Sequence, residues 1–502
     1  MKSEDAFSRP LMQKSWPATG RLDYIIVVAL FAVSRALYAL LGVRFDSTTL
    51  PGYMQFIDPA LLRDRLFESL WYFHAHPPLL NLFTGIGLKL FGDNADVYFT
   101  LAFHALGLAM ALAVYILTLR LSGARPAAIV ATAVLVFSPS FVLYENWLMY
   151  TFPSAALLTI SVLLLHQYLA TRCTRWAAAF FTTLAILLLT RSIFHLAWML
   201  LVAMLLAIVL RQWWRQVLLA AAAPLFIVAL WYGKNYYYFG TFGASTTAGL
   251  GLANITTLMV ERDRLYPMYQ DGRLSPYVVM SRYERPDLLF MLQKPVQTGI
   301  PVLDEVKKSD GHHYNYNNLQ MVAVNRYYIR DGLEVIRTFP ASYAIGLIIS
   351  NRLFFSPTDM NAFFTPENRE AALPMDRIFN PLLYGVGAKP RFMQQPHFGF
   401  TGNQMEVHTS MLLIAQWFVL LAYGYVQARR GVVAANPDTQ PHALVLGFIV
   451  LTALYLYVVS TAIELGENYR YRFNIEPLFL VLMVVAITDL VRRIRTRFAK
   501  SA

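Results

Sequence analysis

Cysteine and charge are both scarce in this chain of 502 residues. The single cysteine, Cys173, has no partner for an intrachain disulfide, so cysteine usage does not indicate a redox compartment. Charged residues make up only 14% of the sequence, whereas 57% of it is hydrophobic. Soluble domains carry about a quarter charged residues, so this composition excludes an ordinary soluble fold and predicts an integral membrane protein.

The hydrophobic residues occur in long runs rich in Leu, Ala, Val and Ile, without the alternation typical of strands. A run of about 20 apolar residues crosses the hydrocarbon as a helix, and only helices or closed barrels satisfy the backbone there. We therefore predict an all-α membrane protein, a bundle of about ten transmembrane helices. No small-residue cleavage site follows the first run, which we expect to be an uncleaved span. The expected spans are 24–43, 98–119, 127–144, 153–170, 177–190, 195–210, 217–232, 411–428, 442–463 and 475–491.

The net charge of +12 comes from basic residues that stand next to the expected spans. Cytoplasmic loops of membrane proteins are rich in Lys and Arg, so this placement orients the N-terminus inside. Membrane lipids of negative charge are the expected partners of these residues, and no nucleic acid is expected. The basic residues on the expected inner side are Arg120, Arg125, Arg172, Arg175, Arg211, Arg215, Arg429, Arg430, Arg492, Arg493, Arg495, Arg497 and Lys500.

This orientation leaves two large loops on the outer side. The apolar segment 341–356 is expected to be interfacial or re-entrant, because a crossing there would move the basic tail outside. The expected regions are a cytoplasmic N-terminus (1–23), a transmembrane module (24–232) with a first outer loop (44–97), a large periplasmic loop region (233–410), C-terminal transmembrane helices (411–491) and a basic cytoplasmic tail (492–502).

Polar residues within or beside spans are costly and are functional candidates, and a set that mixes acids and bases is expected on the outer side. Asp46 directly follows the first span, where it could take a proton from an incoming hydroxyl or amine, or simply face water. Glu145 lies in a short outer turn, where it could orient a substrate, bind a cation or pair with an arginine. Arg191 could hold a lipid phosphate or a protein carboxylate. The outer-side candidates are Asp46, Asp58, His74, His76, Glu145, Arg191, His195, Lys234, Asn235, Glu467, Arg470 and Arg472.

The last outer turn is the most densely charged. Arg470 and Arg472 could together grip a phosphate while Glu467 orients them, although a self-neutralised turn has the same composition. In the first loop, His74 and His76 could form a metal pair, but the two prolines that follow more simply make a rigid extended corner.

Taken in order, these residues resemble the GT-C superfamily of membrane glycosyltransferases, close to the bacterial family 39 protein mannosyltransferase-like proteins. Many of those relatives have Asp-Glu in the first outer loop, whereas Asp46 is followed by Ser47, which leaves Asp58 as a rival base. The matching positions are Asp46, His76-Pro77-Pro78-Leu79, Glu145, the segment from Lys234 and Asn235 to Phe239 and Gly240, and the turn with Gly466, Glu467, Arg470, Arg472 and Pro477.

The resemblance implies transfer of a sugar from a polyprenyl-phosphate donor to an acceptor lipid, glycan or protein at the outer face, with inversion. It implies a location in the bacterial inner membrane with the site facing the periplasm or exterior. Asp46 and Glu145 would permit a divalent cation without requiring one, and no other cofactor is implied. The implied catalytic residues are Asp46, Asp58 and Glu145, and the implied substrate-binding residues are His76, Arg191, Lys234, Asn235, Glu467, Arg470 and Arg472.

Two other functions fit parts of the pattern. A transporter or flippase of a lipid-linked sugar would place polar groups near the membrane midplane and show internal repeats, and neither is apparent in the sequence. A non-catalytic membrane scaffold with a periplasmic loop domain would not need the ordered acids and arginines.

Overall fold

The computed structural model describes residues 19–280, 285–385, 392–393, 405–406, 409–434 and 439–501. Within these residues the chain is almost entirely helical, and the one named sheet pairs two short antiparallel strands, β1 (Phe392–Met393) and β2 (Met405–Glu406). The helices are α1 (Arg21–Leu41), α2 (Thr49–Gly52), α3 (Pro59–Asp64), α4 (Leu66–Trp71), α5 (Leu79–Phe91), α6 (Ala95–Ser122), α7 (Arg125–Phe137), α8 (Pro139–Glu145), α9 (Thr151–Thr171), α10 (Thr174–Thr190), α11 (Leu196–Val209), α12 (Trp214–Phe239), α13 (Ala248–Ile255), α14 (Arg262–Gln270), α15 (Pro286–Phe290), α16 (Pro301–Asp304), α17 (Gln320–Thr338), α18 (Pro340–Phe354), α19 (Pro366–Phe379), α20 (Met411–Ala434), α21 (Gln440–Ile463), α22 (Asn468–Phe473) and α23 (Glu476–Ser501).

The all-α membrane architecture predicted from the sequence is confirmed. Among the described residues, six helices are long and apolar enough to cross a membrane, and two bent helix pairs raise this number to eight. Helices or helix pairs cover all ten expected spans, although α10 and α11 are shorter apolar helices and α23 ends in a strongly basic stretch. The protein is therefore a multi-pass helical bundle.

One expected span is broken. Residues 127–144 were expected to be continuous, but α7 and α8 meet at a bend of 56°. The break falls at Ser138 and Pro139, where proline begins α8 and Ser138 has extended backbone angles. Proline restricts the preceding residue to extended conformations, so the helix ends there and a second one starts.

The basic residues at the expected inner side gather at one end of the bundle. The carbonyl of Arg120 on α6 contacts His442 Nε2 on α21, and Arg172 at the end of α9 donates to Gln440 of α21 at 3.1 Å. Arg492 of α23 donates to the carbonyl of Ser122 at the end of α6. These contacts bring together the ends of four helices that the alternating topology places on the same side.

The segment between α12 and α20 builds a helical layer over the opposite end. Helix α18 follows α17 after a bend of 108°. Tyr343 near its start donates to the carbonyl of Ala462, and Asn351 near its end meets Tyr457, so both contacts fall within the last turns of α21. Helix α18 therefore packs beside the end of α21, and the interfacial or re-entrant path of residues 341–356 stays a prediction.

Candidate functional site

A cavity of about 1030 Å³, here called the outer cavity, lies where the helix ends of the bundle meet the helical layer. One part of its wall is apolar and includes Phe242, Leu250 and Val459, whereas another part carries charged side chains. The segments that contribute to the wall are 54–55, 150, 191–197, 241–258, 360–369 and 455–471, together with His76. The cavity therefore joins the first outer loop, the large loop region and the last outer turn.

Two arginines from distant parts of the chain meet at the ring of Tyr150 on the cavity wall. The guanidinium carbon of Arg191 lies 5.0 Å from the ring centre, and that of Arg470 lies 5.5 Å from it. Arg191 also donates to the amide oxygen of Asn474 at 3.0 Å. Among the described residues, Nη2 of Arg191 and Nε of Arg470 are buried without a hydrogen-bond acceptor. The site thus holds two guanidinium groups close together, and each has an N–H group without a hydrogen-bond acceptor in the described part of the chain.

Their charges are compensated to different degrees. Glu467 Oε2 lies 2.5 Å from Arg470 Nη2. Burial opposes the charge of Arg470, but the carboxylate of Glu467 and nearby tyrosines raise its pKa above the ordinary value. Arg191 hydrogen-bonds a neutral amide and lies on the rings of Tyr150 and Tyr471. Burial lowers its pKa, yet guanidinium stays charged at physiological pH, so Arg191 is a buried cation that an incoming anion would stabilise.

The two histidines of the first loop have different surroundings. His76 lines the outer cavity, and burial together with the charge of Arg470 lowers its pKa to about 4. His74 is enclosed, with Nδ1 at 2.8 Å from the hydroxyl of Thr246, and burial lowers its pKa to about 3. Both imidazoles are therefore neutral at physiological pH. Because His74 contacts Thr246 whereas His76 lines the cavity, the two rings have separate surroundings, and the rigid corner stays a prediction.

Asp46 lies one layer behind the cavity wall. Its backbone pairs with the stretch around Trp147, with Asp46 N donating to the Asn146 carbonyl at 2.8 Å. The carboxylate accepts from the backbone and hydroxyl of Thr48. Burial raises the pKa of Tyr53, and the charges of Glu467 and Asp46 contribute to the increase, so Tyr53 lies near both acids. The Arg470 guanidinium is 5.8 Å from the Trp147 ring, so Asp46 and Arg470 share one neighbourhood.

Glu145 does not line the outer cavity. Its buried carboxylate lies 2.5 Å from Arg35 Nε on α1 and 3.8 Å from His104 on α6. Gly107 leaves room for this carboxylate, because any larger side chain there would collide with it. Of the alternatives considered for Glu145, the geometry fits the pairing with an arginine, which here ties three helices together.

Arg472 lies on the opposite side of α22 from Arg470, which corrects the expectation that the two arginines grip one phosphate. Arg472 Nη2 contacts Glu476 at 2.8 Å and the carbonyl of Ser356 at 2.7 Å, inside the protein. The reason is local. Residues 468–473 form a helical turn, and a helix rotates about 100° per residue, so residues two apart face nearly opposite ways.

Three further candidate residues contact loop backbone and do not line the outer cavity. Lys234 Nζ donates to the carbonyls of Trp71 and Phe73 and faces a separate groove of about 470 Å³. Asn235 donates to the carbonyl of Gly243. Asp58 caps α3 through Ala60 N and accepts two bonds from Ser309, which occupies the oxygens that a general base would use.

Sequence reasoning missed several residues of the wall. Tyr150 and Tyr471 flank Arg191, and Asn254 of α13 donates to Glu464 Oε1 at 2.7 Å. Arg369 of α19 also lines the cavity, and its Nε is buried without an acceptor among the described residues. Tyrosines in a membrane-interface turn are too common to stand out. Arg369 lies in the large loop region (233–410), whose helices were not predicted from the sequence.

The described residues contain no group of three or more His, Cys, Asp or Glu side chains placed to hold a metal ion. A cation shared by Asp46 and Glu145 has little support from the positions of these residues. Glu145 is engaged by Arg35, whereas Asp46 accepts from Thr48.

The fold and site define a multi-pass helical membrane protein with a charged cavity at one end of its bundle. No protein-family model matches the chain, and no curated protein matches it. Among solved structures, the chain is similar to ArnT from Cupriavidus metallidurans bound to undecaprenyl phosphate, with 16% identity, a TM-score of 0.34, and coverage of 93% of this chain and 78% of that one. It is also similar to the apo state of ArnT, with 14% identity, a TM-score of 0.29, and coverage of 92% and 76%. Similarity at these values does not assign the chain to a family.

Proposed function

We propose that this protein is a membrane glycosyltransferase of GT-C type that transfers a sugar from a polyprenyl-phosphate donor to an acceptor at the outer face of the membrane, with inversion. The single observation that carries the proposal is the pair of buried arginines at Tyr150, each with an unused N–H group beside an open cavity. The outer-side residues also resemble those of GT-C enzymes in their order, and this resemblance implies the same transfer of a sugar from a polyprenyl-phosphate donor.

The arginine pair is suited to a phosphate that becomes a leaving group. Guanidinium groups donate to phosphate oxygens through fixed N–H groups, and such bonds are stronger when both partners are charged. Cleavage of the bond between sugar and phosphate places an additional negative charge on the phosphate. Preorganised cations next to that oxygen stabilise the transition state more than the ground state, which is what lowers a barrier. Arg191 and Arg470 are our candidates for this role.

The apolar wall is suited to the lipid part of the donor. Along α21, the wall extends from Ile463 at the helix end down to Tyr455. Eight residues of helix span about 12 Å, so the cavity wall follows a candidate membrane span for about that length. A prenyl chain that starts at the phosphate can follow this wall without exposing apolar surface to water.

Asp46 is our candidate general base. Its backbone pairs with that of Trp147, and the Arg470 guanidinium lies 5.8 Å from the Trp147 ring. Inversion needs the base and the leaving group on opposite sides of the anomeric carbon, and an acceptor hydroxyl or amine near Asp46 would satisfy this arrangement. Asp58 and Glu145 are weaker candidates because Ser309 and Arg35 occupy their oxygens.

The test is sugar transfer by the purified protein in lipid nanodiscs. A panel of radiolabelled polyprenyl-phosphate sugars is incubated with the protein and a membrane extract that supplies acceptors. We expect one donor to be consumed with release of polyprenyl phosphate, and Asp46→Asn to lower the rate by about 10²–10⁴-fold while the protein stays folded. Asp93→Asn, an exposed acid near the end of α5, is the matched control and should transfer normally. Donor movement across the bilayer without release of polyprenyl phosphate would favour a flippase instead.

A further inference from the structure

The outer cavity contains an aromatic arrangement that the catalytic proposal does not use. The ring of Phe363, in the loop before α19, lies parallel to the ring of Trp147, with an interplanar angle of 8° and a centre-to-centre distance of 6.3 Å. Tyr53 meets Phe363 edge-on at 5.5 Å and Trp147 edge-on at 6.3 Å. Phe363 is thus an offset parallel neighbour of Trp147, and of the two rings it is Phe363 that lines the cavity.

The two stacked rings differ in exposure. Phe363 lines the cavity and is 40% exposed, whereas Trp147 is 1% exposed. The indole N–H of Trp147 is nevertheless buried without a hydrogen-bond acceptor among the described residues. A buried indole N–H usually finds a partner, and leaving it without one costs free energy. Within the described part of the chain, Trp198 and Trp417 also have a buried indole N–H without an acceptor, but Trp147 is the one of the three that contacts Phe363 and Arg470 of the cavity wall.

The position of Trp147 fits the sugar of the proposed donor. In such a donor the sugar is bonded directly to the phosphate, so its ring must lie next to the phosphate site. The Arg470 guanidinium carbon is 5.8 Å from the Trp147 ring, and the backbone of Trp147 is paired with Asp46. A ring on Trp147 would lie between the proposed phosphate-binding arginine and the proposed base, where the anomeric carbon has to be.

We propose that Trp147 is the platform on which the six-membered ring of the donor sugar stacks, and that Phe363 occupies this platform when the donor is absent. This inference rests on the proposed function. The C–H face of a pyranose is apolar and has about the size of a phenyl ring, so it replaces Phe363 with little loss of contact. The hydroxyl groups of the sugar then offer acceptors to the indole N–H, which a phenyl ring cannot do.

The experiment compares the binding of two lipids, decaprenyl phosphate and decaprenyl-phosphate mannose, to the purified full-length protein by calorimetry in detergent. Phe363→Ala vacates the platform at a partly exposed position, so the protein should remain folded. We expect this variant to bind the mannosyl lipid about three- to tenfold more tightly than wild type and the bare phosphate lipid with unchanged affinity. Phe67→Ala is the matched control, because Phe67 on α4 is an exposed phenylalanine that does not line the cavity.

A second variant tests the indole N–H of Trp147 as a hydrogen-bond donor to the sugar. Trp147→Phe keeps an aromatic face and removes the N–H, and we expect about threefold weaker binding of the mannosyl lipid only. Equal changes for both lipids, or no change for either in both variants, would overturn the platform and leave the proposed function standing. Failure of the wild-type protein to bind either lipid would remove the proposed function and the platform with it.

Discussion

Arg470 and Arg472 stand two residues apart on α22, yet they belong to regions of opposite character. Arg470 faces the outer cavity, where Arg191 joins it at Tyr150. Arg472 is enclosed on the far side of the same turn, in contact with Glu476 and Ser356 and beside the ring of Tyr384. The same residue type is placed once beside open space and once inside packed protein.

The comparison separates a charge held for a ligand from a charge held for the fold. A buried cation that is paired with a carboxylate is expensive to disrupt, because removal of one member leaves the other uncompensated. A buried cation without an acidic partner is costly as it stands, and its removal relieves that cost unless a ligand supplies the anion. Arg472 fits the first description and Arg191 the second.

The largest expected effect concerns stability. Arg472→Gln should lower the free energy of unfolding by about 3–5 kcal/mol, because Glu476 loses its buried partner. Thermal unfolding in detergent measures this change. Arg493→Gln removes an exposed arginine from a pair with the same spacing, Asp489 and Arg493, and should cost no more than about 1 kcal/mol. Equal losses in the two variants would remove the distinction between the regions.

The next effect concerns activity. Arg191→Gln should lower sugar transfer by about 10²–10³-fold, because a donor to the leaving phosphate is lost. The same variant should unfold at an unchanged or higher temperature, since the amide can still contact Asn474 and no carboxylate is stranded. Arg215→Gln, an exposed arginine at the other end of the bundle, should change neither quantity. If Arg191→Gln were strongly destabilised but fully active, Arg191 would serve the fold, as Arg472 does, and not the ligand.

The smallest expected effect is the pH dependence of stability, and it concerns the packed region around Arg472. Near Arg472, burial and the charge of the neighbouring Asp359 together raise the pKa of Asp376 to about 9. The folded state therefore keeps a proton that the unfolded chain loses near pH 4. This contribution to stability is complete below that pH and decreases as the pH rises towards 9. At pH 9, Asp376→Asn should be more stable than wild type by roughly 1–3 kcal/mol.

Thermal unfolding between pH 5 and 9 checks this expectation. Wild type should lose stability across the range, whereas the melting temperature of Asp376→Asn should change less. Glu370→Asn, an exposed acid on the same helix, is the control and should follow the wild-type profile. A variant that keeps the full wild-type slope would show that the two aspartates do not share a proton.

Much of the fold could be predicted from the sequence because membrane spans are encoded in long apolar runs. The expected span 442–463 corresponds to Gln440–Ile463, and the run at 24–43 corresponds to Arg21–Leu41. The broken span at Ser138 was missed, although Pro139 gave a local signal for it. The layer from α13 to α19 was not predicted, since short helices in a polar loop region are stabilised by tertiary packing that periodicity does not record.

The site could be predicted only to the level of the turns that build it. His76, Arg191, Glu467 and Arg470 line the outer cavity as a set from three separate turns. The positions of Glu145, Lys234 and Arg472 could not be predicted, because the direction of a side chain depends on backbone angles and neighbours. Arg35, which pairs with Glu145, lies inside the first span and was not considered as its partner.

The central claim is that Arg191 and Arg470 bind the phosphate of a polyprenyl lipid in the outer cavity. The most direct test is a cryo-electron microscopy structure of the protein in nanodiscs with decaprenyl phosphate. The account predicts phosphate density within about 2.7–3.2 Å of Arg191 Nη2 and Arg470 Nε, with the prenyl chain along α21. A phosphate bound in the groove beside Lys234, with the outer cavity empty, would contradict it.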